Sequence, residues 1–321
     1  MDPYHRTDRE PAASLKVPEL TPAGSKLGVD YNQGHFLLGK LEGFSRIIRP
    51  VNCLMMGFAV IVGAVIARSS AAMNLPAWNL ACGFVTAFAL TGGSMAVNDY
   101  YDREIDAINE PNRPIPSGLV KPKEALVFAL VMAAVGFAAA YVTGINSLAV
   151  AVISWILFTT YTTVGKGSGL PGNFLVSLCV AMPFVYGSVV ITGGVDVNVL
   201  IFVCMVFLSN SGREITKGIV DVEGDIKRNV KTLAVRYGSR AASIAATLFN
   251  VSATLLSPIP VLLGLVSLWY VPLVSITDIG LVVSSIGLLK NHSRESARRT
   301  KRIVLIWFVV GLIAFLVGAA R

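Results

Sequence analysis

The sequence predicts an all-α membrane protein with about nine transmembrane helices, and three observations support this fold class. Of its 321 residues, 54% are hydrophobic and 14% are charged, whereas ordinary soluble domains are about one-quarter charged. Apolar runs of about 20 residues, the length that crosses roughly 30 Å of hydrocarbon, recur along most of the chain. The basic residues concentrate in alternate connections between these runs. A soluble helical protein is the alternative, but one soluble core of this size could not bury so many long apolar runs.

The apolar runs define the predicted helices. They cover residues 46–67, 78–99, 124–143, 146–165, 172–192, 197–218, 239–257, 259–289 and 302–319. The eighth run is long and is interrupted by Asp278, so it predicts either one tilted helix or two shorter pieces. The four cysteines lie inside apolar runs without metal-ligand spacing, which indicates packing residues rather than disulfides or ligands.

The placement of basic residues predicts the orientation of the chain. With a cytoplasmic N-terminus, 25 of the 27 Lys and Arg residues fall on the cytoplasmic side, as the positive-inside rule requires. Residues 1–35 are polar, contain four prolines and lack the apolar core of a signal peptide. We therefore predict a flexible cytoplasmic tail at residues 1–35 and a transmembrane domain at residues 36–321, in a multi-pass protein of the cell membrane.

An acidic motif follows the second apolar run and is the first candidate site. It reads NDYYDREID at residues 98–106. On a helix, Asn98, Asp102 and Asp106 share one face, and Asp99 lies beside them. Neighbouring carboxylates repel one another unless a cation lies between them, and such oxygen ligands suit Mg²⁺ bound together with substrate phosphates. The motif therefore predicts a site for Mg²⁺ and a diphosphate.

A second motif, GREITKGIVDVEGD at residues 212–225, follows the sixth run. Its residues Arg213, Lys217, Asp221 and Asp225 are spaced four apart, so one continuous helix would carry them on one face. A salt-bridge ladder is the alternative, because Lys217 and Asp221 could neutralise each other at the membrane interface. Both motifs fall on the predicted cytoplasmic face, in polar loops at about residues 100–123 and 219–238, which favours one shared site there.

Basic and polar residues near the motifs complete the predicted site. A metal ion together with Arg and Lys side chains is the usual means of neutralising a leaving diphosphate. Lys166 follows Tyr161 at the end of the fourth run, and Arg113 lies in the proline-rich turn NRPIPSG at residues 112–118. For Arg46, Arg49 and Lys166, anchoring at the membrane interface is the alternative role. The candidate substrate-binding residues are Arg46, Arg49, Asn52, Arg113, Arg213 and Lys217.

The two acidic motifs and the NRPIPSG turn together resemble the UbiA superfamily of intramembrane prenyltransferases, over about residues 40–320. The resemblance implies helices around a central cavity, with the two polar loops forming a cytoplasmic cap over the active site. It also implies Mg²⁺ as cofactor and a prenyl diphosphate as donor. The implied metal ligands are Asn98, Asp99, Asp102, Asp106, Asp221 and Asp225. The candidate catalytic residues are Asp102, Asp106, Asp221, Asp225, Lys166 and Tyr161, and we expect Tyr161 or a motif carboxylate to serve as the base if one is needed.

Within this superfamily, the second motif is most similar to archaeal enzymes of ether-lipid synthesis. The implied reaction is Mg²⁺-dependent transfer of a geranylgeranyl group from geranylgeranyl diphosphate to geranylgeranylglyceryl phosphate. The stretch Gly218-Ile219-Val220 departs from this subfamily, where a more acidic stretch is expected. Because quinone-type relatives carry a similar Glu-Gly-Asp, prenylation of 4-hydroxybenzoate or a naphthoate is the alternative.

A cation-coupled transporter is the alternative of another class, since ionisable residues at membrane depth mark ion pathways. Transporter sites usually lie near the midplane at broken helices, whereas these aspartates cluster at one face beside polar loops. The pattern therefore favours the transferase. Its expected partners are a prenyl diphosphate, a lipid-like acceptor and membrane lipids, with no nucleic acid, and the oligomeric state is left open.

Overall fold

A computed structural model describes residues 27–71, 76–227 and 229–319, and these ranges consist of α-helices, one 3-10 turn and their connections. The helices are α1 (Leu27–Ile48), α2 (Pro50–Ala71), α3 (Ala77–Asn109), α4 (Pro122–Thr143), α5 (Ile145–Thr163), α6 (Leu170–Thr192), α7 (Val197–Val220), α8 (Val222–Lys227), α9 (Leu233–Leu256), α10 (Ile259–Leu262), α11 (Tyr270–Lys290) and α12 (Arg294–Ala319), and the 3-10 turn is Gly165–Gly167. Within the described ranges, nine helical segments are long and apolar enough to cross a membrane. The predicted fold class is confirmed.

The chain divides at Leu41 into two units, and residues 42–321 form the unit that contains the apolar helices. Most of the predicted tail, residues 1–26, lies outside the described residues. From Leu27 onward its backbone is helical, as the beginning of α1. The flexibility of residues 1–35 and their boundary with the transmembrane domain stay predictions.

The first acidic motif is helical throughout, because α3 continues to Asn109. The predicted polar loop at residues 100–123 was therefore wrong at its start, and the connection to α4 begins only at Glu110. A proline disfavours the helical conformation of the residue before it, and Pro111 follows Glu110, which has φ −143° and ψ 61°. The helix thus ends where proline requires it, rather than where apolar residues give way to polar ones.

The second motif bends instead of forming one continuous helix. Helix α7 ends at Val220, and Asp221 has φ −100° and ψ 8°, outside the helical region. Arg213 and Lys217 therefore lie on α7, whereas Asp225 lies on α8. The predicted ladder on a single helix was wrong, and the predicted loop at residues 219–238 contains the end of α7, all of α8 and the start of α9.

The long eighth run forms two pieces, the short helix α10 and the long helix α11. Pro260 lies in the first turn of α10, and Gly264 follows that helix with φ 62°, in the left-handed region that favours glycine. The chain then re-enters a helix at Tyr270. Asp278 does not interrupt this run, because it lies inside α11.

Helices α2 and α6 pack backbone to backbone at two glycines. A Cβ atom at Gly63 would lie 2.3 Å from the carbonyl oxygen of Phe184, and one at Gly187 would lie 2.1 Å from that of Val60. Small residues allow such close approach of membrane helices. We call this pair of helices the α2–α6 wall, because it separates the two cavities described below.

Widening the α2–α6 wall should destabilise the protein. We expect Gly63→Ala to lower the free energy of unfolding by about 1–3 kcal/mol, since the new methyl group meets backbone atoms that cannot rotate away. Thermal unfolding in detergent micelles measures this change. The matched control is Gly287→Ala in α11, where a Cβ atom has no neighbour within 4 Å. Equal unfolding temperatures for the two variants would contradict the packing described here.

Among the residues that the structure describes, the largest buried apolar cluster lies on one side of this wall, between α2, α6, α7, α11 and α12. Phe315 is at its centre, and its ring centroid lies 4.9 Å from that of Phe202 and 6.2 Å from that of Phe184. Tyr270 stacks on Phe315 and donates its hydroxyl to the carbonyl oxygen of Ser257 at 3.0 Å. This aromatic cluster fixes helices α11 and α12 against the wall.

Candidate active site

The connections that follow α3, α5 and α7 meet at one end of the bundle, which we call the motif end. Lys166, between α5 and α6, forms an ion pair with Asp102 near the end of α3. Gly169, with φ 74°, packs against the connection between α8 and α9, where a Cβ atom would lie 2.2 Å from the carbonyl oxygen of Lys231. Only glycine combines that backbone conformation with that approach. The connection between α5 and α6 thereby contacts both α3 and the connection between α8 and α9.

Two carboxylates of the first motif are paired with arginines from other parts of the chain. The Arg49 guanidinium lies 2.7 Å from Oδ1 of Asp99, a residue that is only 3% exposed. Arg113 bridges Asp99 and Asp106, at 3.5 Å and 2.6 Å respectively. A buried carboxylate needs such partners, so these arginines hold the buried side of the motif.

Arg49 itself adopts a strained backbone conformation between α1 and α2. Its φ is 50°, in a left-handed region that non-glycine residues rarely occupy. Such strain persists where the surrounding structure requires one geometry. Here the strained residue aims its side chain at Asp99, so the turn between α1 and α2 positions a predicted substrate-binding residue.

Lys166 faces the remaining residues of the first motif. Its ammonium donates to Oδ1 of Asn98 at 3.0 Å and pairs with Asp102, while the Asn98 amide donates to Asp102 at 3.1 Å. Burial lowers the pKa of Lys166 from its usual value, and the neighbouring carboxylate of Asp102 acts in the opposite direction. The cation therefore lies against the predicted metal-binding face of α3.

The basic residues of the second motif pair with a carboxylate that the sequence did not single out. Glu214 is buried, and its carboxylate accepts from Arg213 at 2.9 Å and from Lys217 at 3.3 Å. The salt-bridge ladder between Lys217 and Asp221 is thus replaced by a pair three residues apart. A helix equally permits pairs three or four residues apart. Sequence spacing therefore does not show whether Lys217 pairs with Glu214 or with Asp221, and only the burial of Glu214 distinguishes these two partners.

Asp225 lies on α8 beside the start of α9. Its carboxylate accepts a hydrogen bond from the Thr232 hydroxyl at 3.3 Å, and Thr232 also accepts from the backbone N–H of Val235 as the N-cap of α9. Asp221 lies within electrostatic range of Lys301 on α12, a residue that the sequence did not single out. Lys301 is also in range of Arg213 and Lys217, so these three cations lie close together at the second motif.

Electrostatic contacts connect the two motifs through α5 and the 3-10 turn. Lys166 lies within electrostatic range of Lys217 as well as of Asp102. Tyr161 lies in range of Asp102 from the first motif and of Glu214 and Lys217 from the second. The structure therefore brings together Lys166, Tyr161, the first motif and the α7 part of the second.

Two predicted residues lie outside this group. The Arg46 guanidinium donates to the carbonyl oxygen of Asn112 at 2.5 Å and lies 3.8 Å from Glu42, so it anchors the connection between α3 and α4. Asn52 has an exposed side chain in the first turn of α2, and its backbone N–H donates to the carbonyl oxygen of Arg49. Both are neighbours of the residues that contact the motif carboxylates.

The oxygen atoms on α3 fit a Mg²⁺ ion that arrives with a diphosphate. Asn98, Asp102 and Asp106 present oxygen ligands one helical turn apart. Among the described residues, no three His, Cys, Asp or Glu side chains form a metal-binding group by themselves. Mg²⁺ commonly takes one or two carboxylates and completes its coordination with water and substrate phosphates, which is the donor set available here.

Two cavities lie on opposite sides of the α2–α6 wall. The larger, which we call the α7-side cavity, has a volume of about 770 Å³ including its open side, and its lining includes Met55, Met56, Val206, Ser209, Asp278 and Leu312. The other, the α3-side cavity, has a volume of about 540 Å³ including its open side, and its lining includes Ala87, Thr91, Ser94, Ser154, Phe158 and Cys179. Ser209 is one turn from Arg213, and Ser94 is one turn from Asn98. Each cavity thus begins one helical turn from one motif.

Comparison with known sequences identifies close relatives along most of the chain. The model of the UbiA prenyltransferase family matches residues 56–318. The digeranylgeranylglyceryl phosphate synthase of Archaeoglobus fulgidus is 35% identical over 283 residues, which cover 87% of this chain and 96% of the relative. The synthase of Methanopyrus kandleri is 36% identical over 276 residues, which cover 86% of this chain and 98% of the relative.

Solved structures share the fold. One solved structure, described as that of a digeranylgeranylglyceryl phosphate synthase in membranes, matches with a TM-score of 0.71 and 32% sequence identity. The match covers 87% of this chain and 98% of that chain. A UbiA homologue from Archaeoglobus fulgidus, bound to GPP and Mg²⁺, has a TM-score of 0.58 at 15% identity, covering 85% and 99%. At that identity the second structure supports the fold alone.

These findings confirm the predicted superfamily, the multi-pass membrane architecture and the enzyme class, a prenyltransferase. They set aside the transporter, because the family model covers the helices that carry both acidic motifs. The chain belongs to the UbiA prenyltransferase family.

Proposed function

We propose that this enzyme transfers a geranylgeranyl group from geranylgeranyl diphosphate to geranylgeranylglyceryl phosphate in archaeal ether-lipid synthesis, with Mg²⁺ as cofactor. The observation that carries this proposal is the match to synthases of that name over nearly their whole length. The motif end supports it chemically, since it combines an oxygen-lined face on α3 with the cations Lys166, Arg213, Lys217 and Lys301.

The contacts suggest how the site residues divide their roles. We assign Asn98, Asp102, Asp106, Asp221 and Asp225 to the metal ions and the diphosphate. Asp99 is buried between Arg49 and Arg113, so its proposed role is to hold these two arginines in place. Arg49, Arg113 and Lys166 then face the diphosphate, and Arg213 and Lys217 face the acceptor. Arg46 and Asn52 support this arrangement from α1 and α2.

The proposed mechanism begins with loss of the diphosphate. Bound Mg²⁺ supplies positive charge that stabilises the leaving group. Lys166 and Arg113 donate hydrogen bonds to the diphosphate oxygens as the bond between C1 and oxygen breaks and its electron pair leaves with the diphosphate. The apolar cavities exclude water from the allylic cation. The acceptor hydroxyl oxygen then bonds to C1, and its proton passes to a motif carboxylate, with Tyr161 as the second candidate base.

We also propose that the N-terminus and the motif end face the cytoplasm. The support is the distribution of basic residues, since 25 of 27 lie on that side when the N-terminus is inside. The connections after α3, α5 and α7 would then form the cytoplasmic cap over the site.

The acceptor is tested directly with purified enzyme in lipid nanodiscs. Labelled geranylgeranyl diphosphate and Mg²⁺ are incubated separately with geranylgeranylglyceryl phosphate, 4-hydroxybenzoate, a naphthoate and no acceptor. We expect labelled ether product only with geranylgeranylglyceryl phosphate, loss of that product with a chelator, and its return with added Mg²⁺. Product with an aromatic acceptor alone would contradict the lipid acceptor, and product in the presence of the chelator would contradict the Mg²⁺ requirement.

A further inference from the structure

We propose that the two cavities are separate binding compartments for two isoprenoid chains. The α3-side cavity holds the chain of the diphosphate donor, and the α7-side cavity holds the chain of the glyceryl phosphate acceptor. This inference rests on the proposed function, in which both substrates carry a geranylgeranyl chain. An enzyme with such substrates must bury two long apolar chains while keeping their polar ends together.

The α2–α6 wall keeps the compartments apart. On α2, Val60 lines the α3-side cavity, whereas Ala59, the residue before it, lines the α7-side cavity. On α6, Pro183 and Phe184 are adjacent in sequence but face the α3-side and α7-side cavities respectively. Because the two helices touch through backbone atoms at Gly63 and Gly187, no chain can pass between them at this level. One isoprenoid chain therefore occupies one side.

The α3-side cavity suits the donor because it begins beneath the proposed metal ligands. Ser94 lies one turn from Asn98 on α3, and Phe158 lies close to one turn from Tyr161 on α5. Pro183 of α6 also lines it, and proline has no N–H to bond the carbonyl four residues earlier, so α6 lacks one backbone hydrogen bond where it borders this space. A chain attached to a diphosphate at the first motif would extend directly into this cavity.

The α7-side cavity suits the acceptor because three cations, Arg213, Lys217 and Lys301, lie together at its motif end. A phosphate monoester can be bound by Arg and Lys alone. Arg213, Lys217 and Lys301 lie within electrostatic range of one another, and Nε of Arg213 is buried without a hydrogen-bond partner. Ser209, which lines the cavity, is one turn from Arg213. A phosphate at these cations would place the attached chain in the α7-side cavity.

Asp278 marks the far part of the α7-side cavity. Its carboxylate accepts a hydrogen bond from the Ser257 hydroxyl at 2.5 Å. Ser257 is the residue after α9, at the end of that helix that is remote from the second motif. An apolar chain that covered this carboxylate would remove it from water at a cost. The apolar part of the compartment thus ends at this hydrogen-bonded pair.

Filling each cavity separately tests the assignment. Ala87→Phe fills the α3-side cavity, and Val206→Phe fills the α7-side cavity. Binding of geranylgeranyl thiolodiphosphate with Mg²⁺, and of geranylgeranylglyceryl phosphate, is titrated separately by tryptophan fluorescence. We expect Ala87→Phe to weaken only donor binding and Val206→Phe to weaken only acceptor binding, each by about tenfold or more. The reversed pattern, or weakening of the same substrate by both variants, would overturn the proposal.

Matched controls place the same side chain on the outer faces of the same helices. Val85→Phe on α3 and Cys204→Phe on α7 replace exposed residues and should bind both substrates like the wild type. Thermal unfolding tests whether each variant is folded. If Ala87→Phe does not fold, Ser154→Leu is used for the α3-side cavity, and if Val206→Phe does not fold, Leu312→Phe is used for the α7-side cavity. If the wild type does not bind geranylgeranylglyceryl phosphate, the proposed acceptor fails. The donor titration then still decides the α3-side compartment.

Discussion

Replacing Asp102 with alanine should lower kcat/KM for prenyl transfer by at least about 100-fold, because the site loses a charged group that acts on the leaving diphosphate. The Asp102 carboxylate also fixes Lys166 and the amide of Asn98, so both side chains lose their orientation. Folding should persist, because Asp102 lies at the polar end of α3 and Lys166 is partly exposed. Initial rates at varied donor concentration, together with thermal unfolding, measure both effects.

Glu104 provides the matched control for this experiment on the same helix. Its side chain is 83% exposed and pairs only with the neighbouring Arg103, at 3.1 Å, among the contacts described for it. Glu104→Ala removes the same kind of charge from the same motif and should retain wild-type kinetics. The assigned role of Asp102 would be wrong if Asp102→Ala kept kcat/KM within about threefold of the wild type.

Replacing Asp225 with alanine should have an effect of similar size, at least about 100-fold on kcat/KM. In this account Asp225 supplies the second half of the site from α8, across from the first motif. The variant also removes the hydrogen bond from Thr232, but Thr232 keeps its contact with Val235 as the N-cap of α9. The start of α9 should therefore stay folded, which circular dichroism and thermal unfolding can verify.

Glu223 is the corresponding control on α8. Its side chain is 76% exposed and pairs with Arg294 at 3.3 Å. Glu223→Ala should leave kcat/KM near the wild-type value, because exposed ion pairs contribute little to structure. Comparable losses in Glu223→Ala and Asp225→Ala would indicate that α8 responds to any change of charge, and would contradict a specific role for Asp225.

The sequence predicted the membrane helices well because the length and apolar composition of each run are enough to indicate a membrane-spanning helix. It failed where a helix continues through polar residues. Helix α3 extends to Asn109, since the backbone hydrogen bonds continue until Pro111 approaches. The same limitation affected the second motif, where regular spacing predicted one helix but the backbone bends at Asp221. Spacing alone cannot distinguish a straight helix from one that bends.

The residues of the candidate site were predicted better than their partners. Arg113 was selected for a diphosphate, and the structure shows that it also holds Asp99 and Asp106. Glu214 was missed because its spacing from Lys217 is as ordinary as that of Asp221. Only burial, which depends on the packing of α7 against its neighbours, reveals it as the partner of Lys217. The two cavities likewise depend on how separate helices pack, which no local pattern in the sequence encodes.

Binding of Mn²⁺ in place of Mg²⁺ tests most directly whether the two acidic motifs share one metal-diphosphate site, since both ions take carboxylate and water ligands. Electron paramagnetic resonance can count the bound Mn²⁺ in the presence of geranylgeranyl thiolodiphosphate. The account predicts that the wild type binds Mn²⁺ only with the diphosphate and that Asp102→Ala and Asp225→Ala each weaken this binding. Wild-type affinity and stoichiometry in either variant would show that the corresponding motif does not hold the metal.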